Sequence, residues 1–322
     1  MATYKGVKGV NIQSKASDPT ASEAEGTVWY NTASTALKYA IQGTAAWAAS
    51  VALPTATNNG AGFGIVTAAM NAAGYTPGGA TTNCQTFDGT AWTEVGNTTE
   101  AAPHYGRRGA GTLTAGVIWG GTTQTVDTEN WNGSSWSASG HMATGRHNSA
   151  SLGIQTAAIS AAGYTDPATS ADTEIYNGST WTTGNNVQTA RQGAAGAGVT
   201  TAALIFGGNE VLTASETYDG TCWATTNSLN TGRSSCTGTG DSVPVALCWG
   251  GANVSWAGIA NTEKYDGTSW AEVADLATAR GDGQEAGTGK ASALCIGGEP
   301  PRTTAVEEWA DPVYTIKTVT VS

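Results

Sequence analysis

Charge is scarce in this chain. Asp, Glu, Lys and Arg make up 12 % of its 322 residues, and Lys and Arg together number only 14. Nucleic-acid affinity is driven by clustered Lys and Arg meeting phosphates, and no such cluster occurs, so nucleic acid is not an expected partner. The net charge of −11 favours solubility and says little about fold. Runs of Leu, Glu, Lys and Arg that would sustain long helices are missing, which leaves short strands and tight turns. No stretch approaches the ~18 consecutive apolar residues of a membrane span. MATYKGVKGVNIQSK has no apolar core, so no secretory leader is expected. The five cysteines (Cys84, Cys222, Cys236, Cys248 and Cys295) are odd in number and form no C-x-x-C. They read as small buried hydrophobes rather than a disulfide framework. The three histidines, His104, His141 and His147, form no H-E-x-x-H, and no G-x-S-x-G occurs. No catalytic set, metal site or cofactor site is expected.

What the chain has in quantity is Gly (44) and Trp (12), and these recur in register. FDGTAW, WNGSSW, YNGSTW, YDGTCW and YDGTSW end at Trp92, Trp136, Trp181, Trp223 and Trp270. Upstream of each is a short apolar run closed by Gly-Gly or Ala-Gly. The second glycines are Gly74, Gly121, Gly163, Gly208, Gly251 and Gly298, spaced 42 to 47 residues apart. TAR or TGR supplies Arg146, Arg191, Arg233 and Arg280, while Thr57 and His104 hold that place in the first two repeats. In the fourth repeat the strands read as 193–199, 201–208, 213–220 and a last one opening at Cys222-Trp223. The first is almost free of side-chain bulk, as suits an innermost strand. Four strands in a unit of about 44 residues imply a β-propeller blade.

Six glycine pairs predict six blades. The sixth repeat ends at Glu307-Glu308-Trp309 without a G-[ST]-x-W, while GTAAW near the other end offers Trp47. The expected architecture is therefore an all-β, six-bladed propeller of four antiparallel strands per blade. Its last blade is closed by residues 37–49, which would remove a free sheet edge. The alternating tail 313–322 could be that outer strand instead, or add to it. The expected division is 1–36 as a docking segment, 37–312 as the propeller and 313–322 as a strand or tail.

The glycine pair, downstream aromatic and Trp resemble kelch repeats over residues 53–309. More narrowly, TARxGAAGAG, AALIFGG and TEKYDGTSW resemble kelch-like repeats of structural proteins of marine tailed phages. The segment 17–47, with Gly26, Trp29, Tyr30, Asn31, Leu37, Lys38 and Tyr39, is similar to a hairpin of phage tail and fibre proteins. The resemblance implies a virion component made in the host cytoplasm. Its partners would be other virion proteins or copies of itself, with a host-surface glycan as a further partner.

Asp and Asn alternate at one repeat position: Asp88, Asn132, Asn177, Asp219 and Asp266. A metal or catalytic site would not tolerate that exchange, whereas a tight turn before Gly would. The arginines invite two readings. They could form a basic ring for an acidic ligand, or each could pair within its blade with a glutamate two residues before the aromatic. Those glutamates are Glu129, Glu174, Glu216, Glu263 and Glu307; the first repeat has Gln85 and also lacks the Arg. Loss of both partners in one unit favours the structural pair. Tyr75, Tyr164 and Trp256, in the variable loops, are the candidates for ligand or partner contact, with capping of neighbouring blades as the alternative. The expected function is a non-enzymatic phage structural protein. A glycan-binding lectin or adhesin is the second reading and a propeller carbohydrate-active enzyme the third.

Overall fold

The computed structural model describes residues 12–19, 27–242, 245–287, 289, 291–312 and 314–319. They form seven four-stranded sheets in two units: 46–310, whose sheets are arranged in a β-propeller-like way, and a unit made from both chain ends. Gly26 of the N-terminal motif lies outside the described residues.

Six sheets lie within 46–310, and all are antiparallel. One shows the logic of the rest. Its strands are Ala195–Val199, Ala202–Phe206, Ser215–Tyr218 and Trp223–Thr226. The first is Ala and Gly up to its last residue, Val199, because its neighbours come very close. At the matching place in the first repeat, a Cβ on Gly62 would overlap the backbone of Glu285 in the adjoining sheet. The second strand is apolar throughout and buried on both faces. The third closes on the fourth through Tyr218↔Trp223.

Trp side chains fill the space between sheets. Trp181 meets Trp119 of the preceding sheet with ring centroids 5.3 Å apart, and Trp270 meets Phe206 at 4.8 Å. The indole N–H groups find hydroxyls in the same preceding sheet: Trp181 donates to Thr128 Oγ1 at 2.9 Å and Trp270 to Ser215 Oγ at 3.2 Å. Trp181 and Trp270 thus bury a large apolar area while their one polar group stays paired; the equivalent Trp136 and Trp223 bury the same area with the indole N–H left without a hydrogen-bond partner among the described residues.

Trp47 behaves in the same way. It packs on Trp249 at 5.2 Å and donates to Thr262 Oγ1 at 2.9 Å. Its strand, Ala46–Ala49, pairs with Val306–Ala310 through Trp309↔Trp47 and Glu307↔Ala49. The sheet of Gln284–Gly287, Ser292–Ile296 and Val306–Ala310 therefore takes its fourth strand from the N-terminal side.

The first strands are Ala61–Ile65, Arg108–Thr112, Ala150–Ile154, Ala195–Val199, Thr237–Ser242 and Gln284–Gly287, and they neighbour one another in chain order. The last also neighbours the first. Just before these strands, Asn59, Gly106, Asn148, Gly193, Ser235 and Asp282 all have positive φ, from 50° to 71°. Backbone N–H groups link them sheet to sheet. Gly193 donates to Asn148, Asn148 to Gly106, Gly106 to Asn59, Asn59 to Asp282, and Asp282 to Ser235, at 2.6–3.0 Å. The left-handed conformation turns each N–H towards the neighbouring repeat, and Asn, Asp and Gly tolerate it best.

The other unit holds Gln13–Lys15, Val28–Asn31, Ala36–Gln42 and Tyr314–Thr318, in that sheet order. Residues 37–42, expected to run into the outer propeller strand, instead pair with Val28–Asn31 and with Tyr314–Thr318. Residues 43–45 separate them from Ala46–Ala49. Both ends of the chain thus meet in one sheet, and the tail is not the outer strand of the sixth repeat. Asp18 fastens the unit by accepting from Trp29 Nε1 (3.1 Å), Asn31 Nδ2 (2.6 Å) and Lys38 Nζ (2.7 Å). These bonds, Lys38 foremost, hold its carboxyl below the usual range.

Candidate functional site

The repeated acidic turn is part of the scaffold. In each of the five hairpins the Asp or Asn Oδ1 accepts the N–H groups two and three residues ahead. For Asp266 these are Thr268 at 2.8 Å and Ser269 at 2.7 Å; for Asn177 they are Ser179 at 3.0 Å and Thr180 at 2.9 Å. Only the glycine has positive φ (98° at Gly267); the Asp or Asn is chosen for its side-chain acceptor, not for a left-handed backbone. Either residue supplies that oxygen, which is why they alternate.

The arginines are buried, and each meets the glutamate of its own repeat: Arg146–Glu174, Arg191–Glu216, Arg233–Glu263 and Arg280–Glu307. Arg146 Nη2 lies 2.8 Å from Glu174 Oε1, while Nη1 donates to Ala162 O and Asp172 O at 3.0 and 2.8 Å, and Nε to Thr144 O at 3.3 Å. Glu174 also accepts the N–H groups of Ala143 and Thr144 at 2.7 and 3.2 Å. Arg233 and Glu263 repeat this with Thr231, Gly250, Asn261 and Asn230. Each pair therefore satisfies loop backbone groups that would otherwise be buried without partners. With their donors turned into the sheet ends, these arginines form no open basic ring.

The first two repeats reach the same end differently. In the second, Arg107 meets Glu129 Oε1 at 3.2 Å and also Glu100, although His104 occupies the aligned position. Burial brings the Arg107 guanidinium down to about 10 against the pull of Glu129, so it stays charged at neutral pH. In the first, Asn71 Nδ2 donates to Thr57 Oγ1 at 3.2 Å and Gln85 Oε1 at 3.3 Å, a neutral replacement of the whole pair.

The first strands of all six sheets enclose a cavity of about 380 Å³. Its wall is mostly Gly, Ala and larger apolar residues such as Phe63, with the hydroxyls of Thr112, Ser151 and Thr239; its one charged residue is Glu285, which accepts from Ser151 Oγ at 3.3 Å. Burial pushes the Glu285 carboxyl up to about 7, opposed by Arg108 and by the Ser151 bond. Asp282, in the ring of left-handed residues, is pushed up to about 6 by burial, with Ser235 and Arg108 opposing. Arg108 is itself fixed by Ser149 O at 2.8 Å and Arg107 O at 3.1 Å. The repeat pattern does not single out Arg107, Arg108, Asp282 or Glu285. Their signal is local: charge interrupts small-residue runs in GRRGAG and GDGQEAG.

The three loop aromatics are not brought together. Tyr75 is half-buried, edge-on to Tyr105 at 5.1 Å and under the Arg302 guanidinium at 4.8 Å. Tyr164 is half-buried against His147 at 5.1 Å. Both therefore cap neighbouring loops. Trp256 differs: it is 68 % exposed, whereas the eleven other tryptophans are at most 9 % exposed. It lines a concavity of about 220 Å³ with Glu210, Val211, Ser234, Asn253 and Val254. Four cysteines are buried, while Cys222 sits exposed in a hairpin turn, which corrects the uniform reading of the five as core residues. Among the described residues no group of three or more His, Cys, Asp or Glu is placed to hold a metal ion. Compared with known proteins, the chain matches no family model and no curated sequence.

Proposed function

We propose that the chain is a six-bladed, kelch-like propeller that serves as a structural protein of a tailed-phage virion, working through protein–protein contacts. The sixth blade takes Ala46–Ala49 as its outer strand; the Trp47 contacts and the backbone links between Asn59 and Asp282 support that closure. The repeated charged groups are committed to the blades, so partner contact falls to the loops and the unit built from the chain ends.

The observation that carries the assembly role is one face of that unit's sheet. The register places Val28, Tyr30, Leu37, Tyr39 and Ile41 on a single face, and none of them is buried. Tyr30 and Ile41 are 38 % and 41 % exposed. An apolar stripe left open to water marks an interaction surface. Its occupant is another virion protein, and attachment to the host falls to the propeller loops. Antibody-gold labelling of purified particles tests the reading: gold should decorate every particle. Particles without label, beside soluble protein that labels well, would overturn it.

A further inference from the structure

We infer that the concavity between residues 209–211 and 253–257 is a binding site for an uncharged sugar ring, stacked on Trp256. This deepens the host-attachment half of the proposed function. It rests on propeller loops alone, so its failure would leave the particle-assembly claim standing.

Trp256 is presented, not merely left outside. Its φ is +58°, a conformation that bulky residues avoid. The loop is held by Asn253, whose Oδ1 accepts from Ser255 N–H at 2.9 Å and Ala257 N–H at 3.2 Å. Trp256 N–H donates to Asn253 O at 2.9 Å, and Asn253 N–H to Ala257 O at 3.0 Å. The loop backbone that carries the indole is therefore set before any ligand arrives, which reduces the ordering cost of binding. Beside it Val254 is 80 % exposed, and Val211 adds a second apolar wall.

The polar groups decide the ligand class. Glu210 is exposed, and among the described residues its carboxylate has neither a hydrogen bond nor an ion pair, leaving two acceptor oxygens. Asn253 spends its oxygen on the loop, which leaves the Nδ2 donors free. A cation would need acceptors only. Sugar hydroxyls both donate and accept, and the apolar face of a pyranose ring matches indole and valine. Glu210 together with the net charge of −11 repels acidic sugars.

The test applies fluorescently labelled, full-length protein to an array of neutral and acidic glycans, followed by titration of the best ligand. Neutral hexose-bearing glycans should bind, and Trp256→Ala should weaken them at least about tenfold, as expected when an anchoring aromatic is removed. Glu210→Ala should weaken them several-fold. Because eleven tryptophans are buried, ligand should shield the exposed fraction of wild-type fluorescence from acrylamide and leave that of Trp256→Ala unchanged. The variant should melt at the wild-type temperature, since the ring lies outside the core. Absence of neutral-glycan binding, equal binding by Trp256→Ala, or binding of tetramethylammonium in place of sugars would overturn the assignment.

Discussion

At the residue scale, the buried charge of this protein is arginine set against glutamate: Arg107, Arg146, Arg191, Arg233 and Arg280 are all buried with such a partner. Arg233 and Glu263 are completely buried, and their bonds hold three backbone carbonyls, two loop N–H groups and each other. Removing one side strands the other. Arg233→Ala should therefore cost about 3–5 kcal/mol, read as a lowered urea midpoint. The Thr57–Asn71–Gln85 set shows that a neutral solution exists, but it changes three residues together. Glu285 behaves in the opposite sense. Its carboxyl, raised to about 7, binds its proton more tightly folded than unfolded. It adds stability at acidic pH that is lost as pH rises from the unfolded value towards 7. Glu285→Gln should leave the melting temperature unchanged at pH 4 and raise it by a few degrees at pH 8. A variant that melts alike at both would show that burial does not set the Glu285 proton affinity.

At the element scale, the hairpin turn and the interleaved Trp organise each sheet. Asp266→Asn should be nearly neutral, because the same turn uses Asn132 and Asn177. Asp266→Ala removes the acceptor for two N–H groups and should lower the melting temperature. Asp88, Asp219 and Asp266 hold depressed carboxyl pKa values; the Thr90 hydroxyl is the first cause for Asp88, and backbone N–H groups are for the other two. Their contribution is present above the unfolded value near 4 and fades as pH falls below it. In native protein a thiol reagent should modify Cys222 and spare Cys84, whose thiol burial pushes up to about 12.

Much of this level was legible in the sequence, because turn, glycine pair and Trp repeat with fixed spacing and each has one geometric job. Trp47 was legible for the same reason. Arg107 was not, because it reaches Glu129 from three residues beyond the aligned place. The left-handed ring was hidden as well. Asn59, Gly106, Asn148, Gly193, Ser235 and Asp282 share a backbone conformation, not a residue type. The strand that joins 36–42 to 314–318 could not be read, since alternating strands carry no label of their partner.

At the scale of the whole molecule, a ring of sheets needs its seam closed or it leaves an edge open to pairing with another chain. Trp47→Ala should cost about 3–5 kcal/mol, by opening a cavity beside Trp249 and Trp309 and orphaning Thr262. The loss should equal that of Trp270→Ala if both are outer-strand positions of one architecture; calorimetry compares them. Beyond the scaffold, the exposed stripe of Tyr30 and Ile41 bears the functional claim. Quantitative mass spectrometry of purified particles, grown with wild-type protein or with Tyr30→Ser/Ile41→Ser, tests it most directly. The wild-type chain should be present at a fixed copy number per particle and the double variant reduced to a small fraction of it, with its melting temperature kept. Particles that lack the wild-type chain, or that take up the variant equally, would contradict the account.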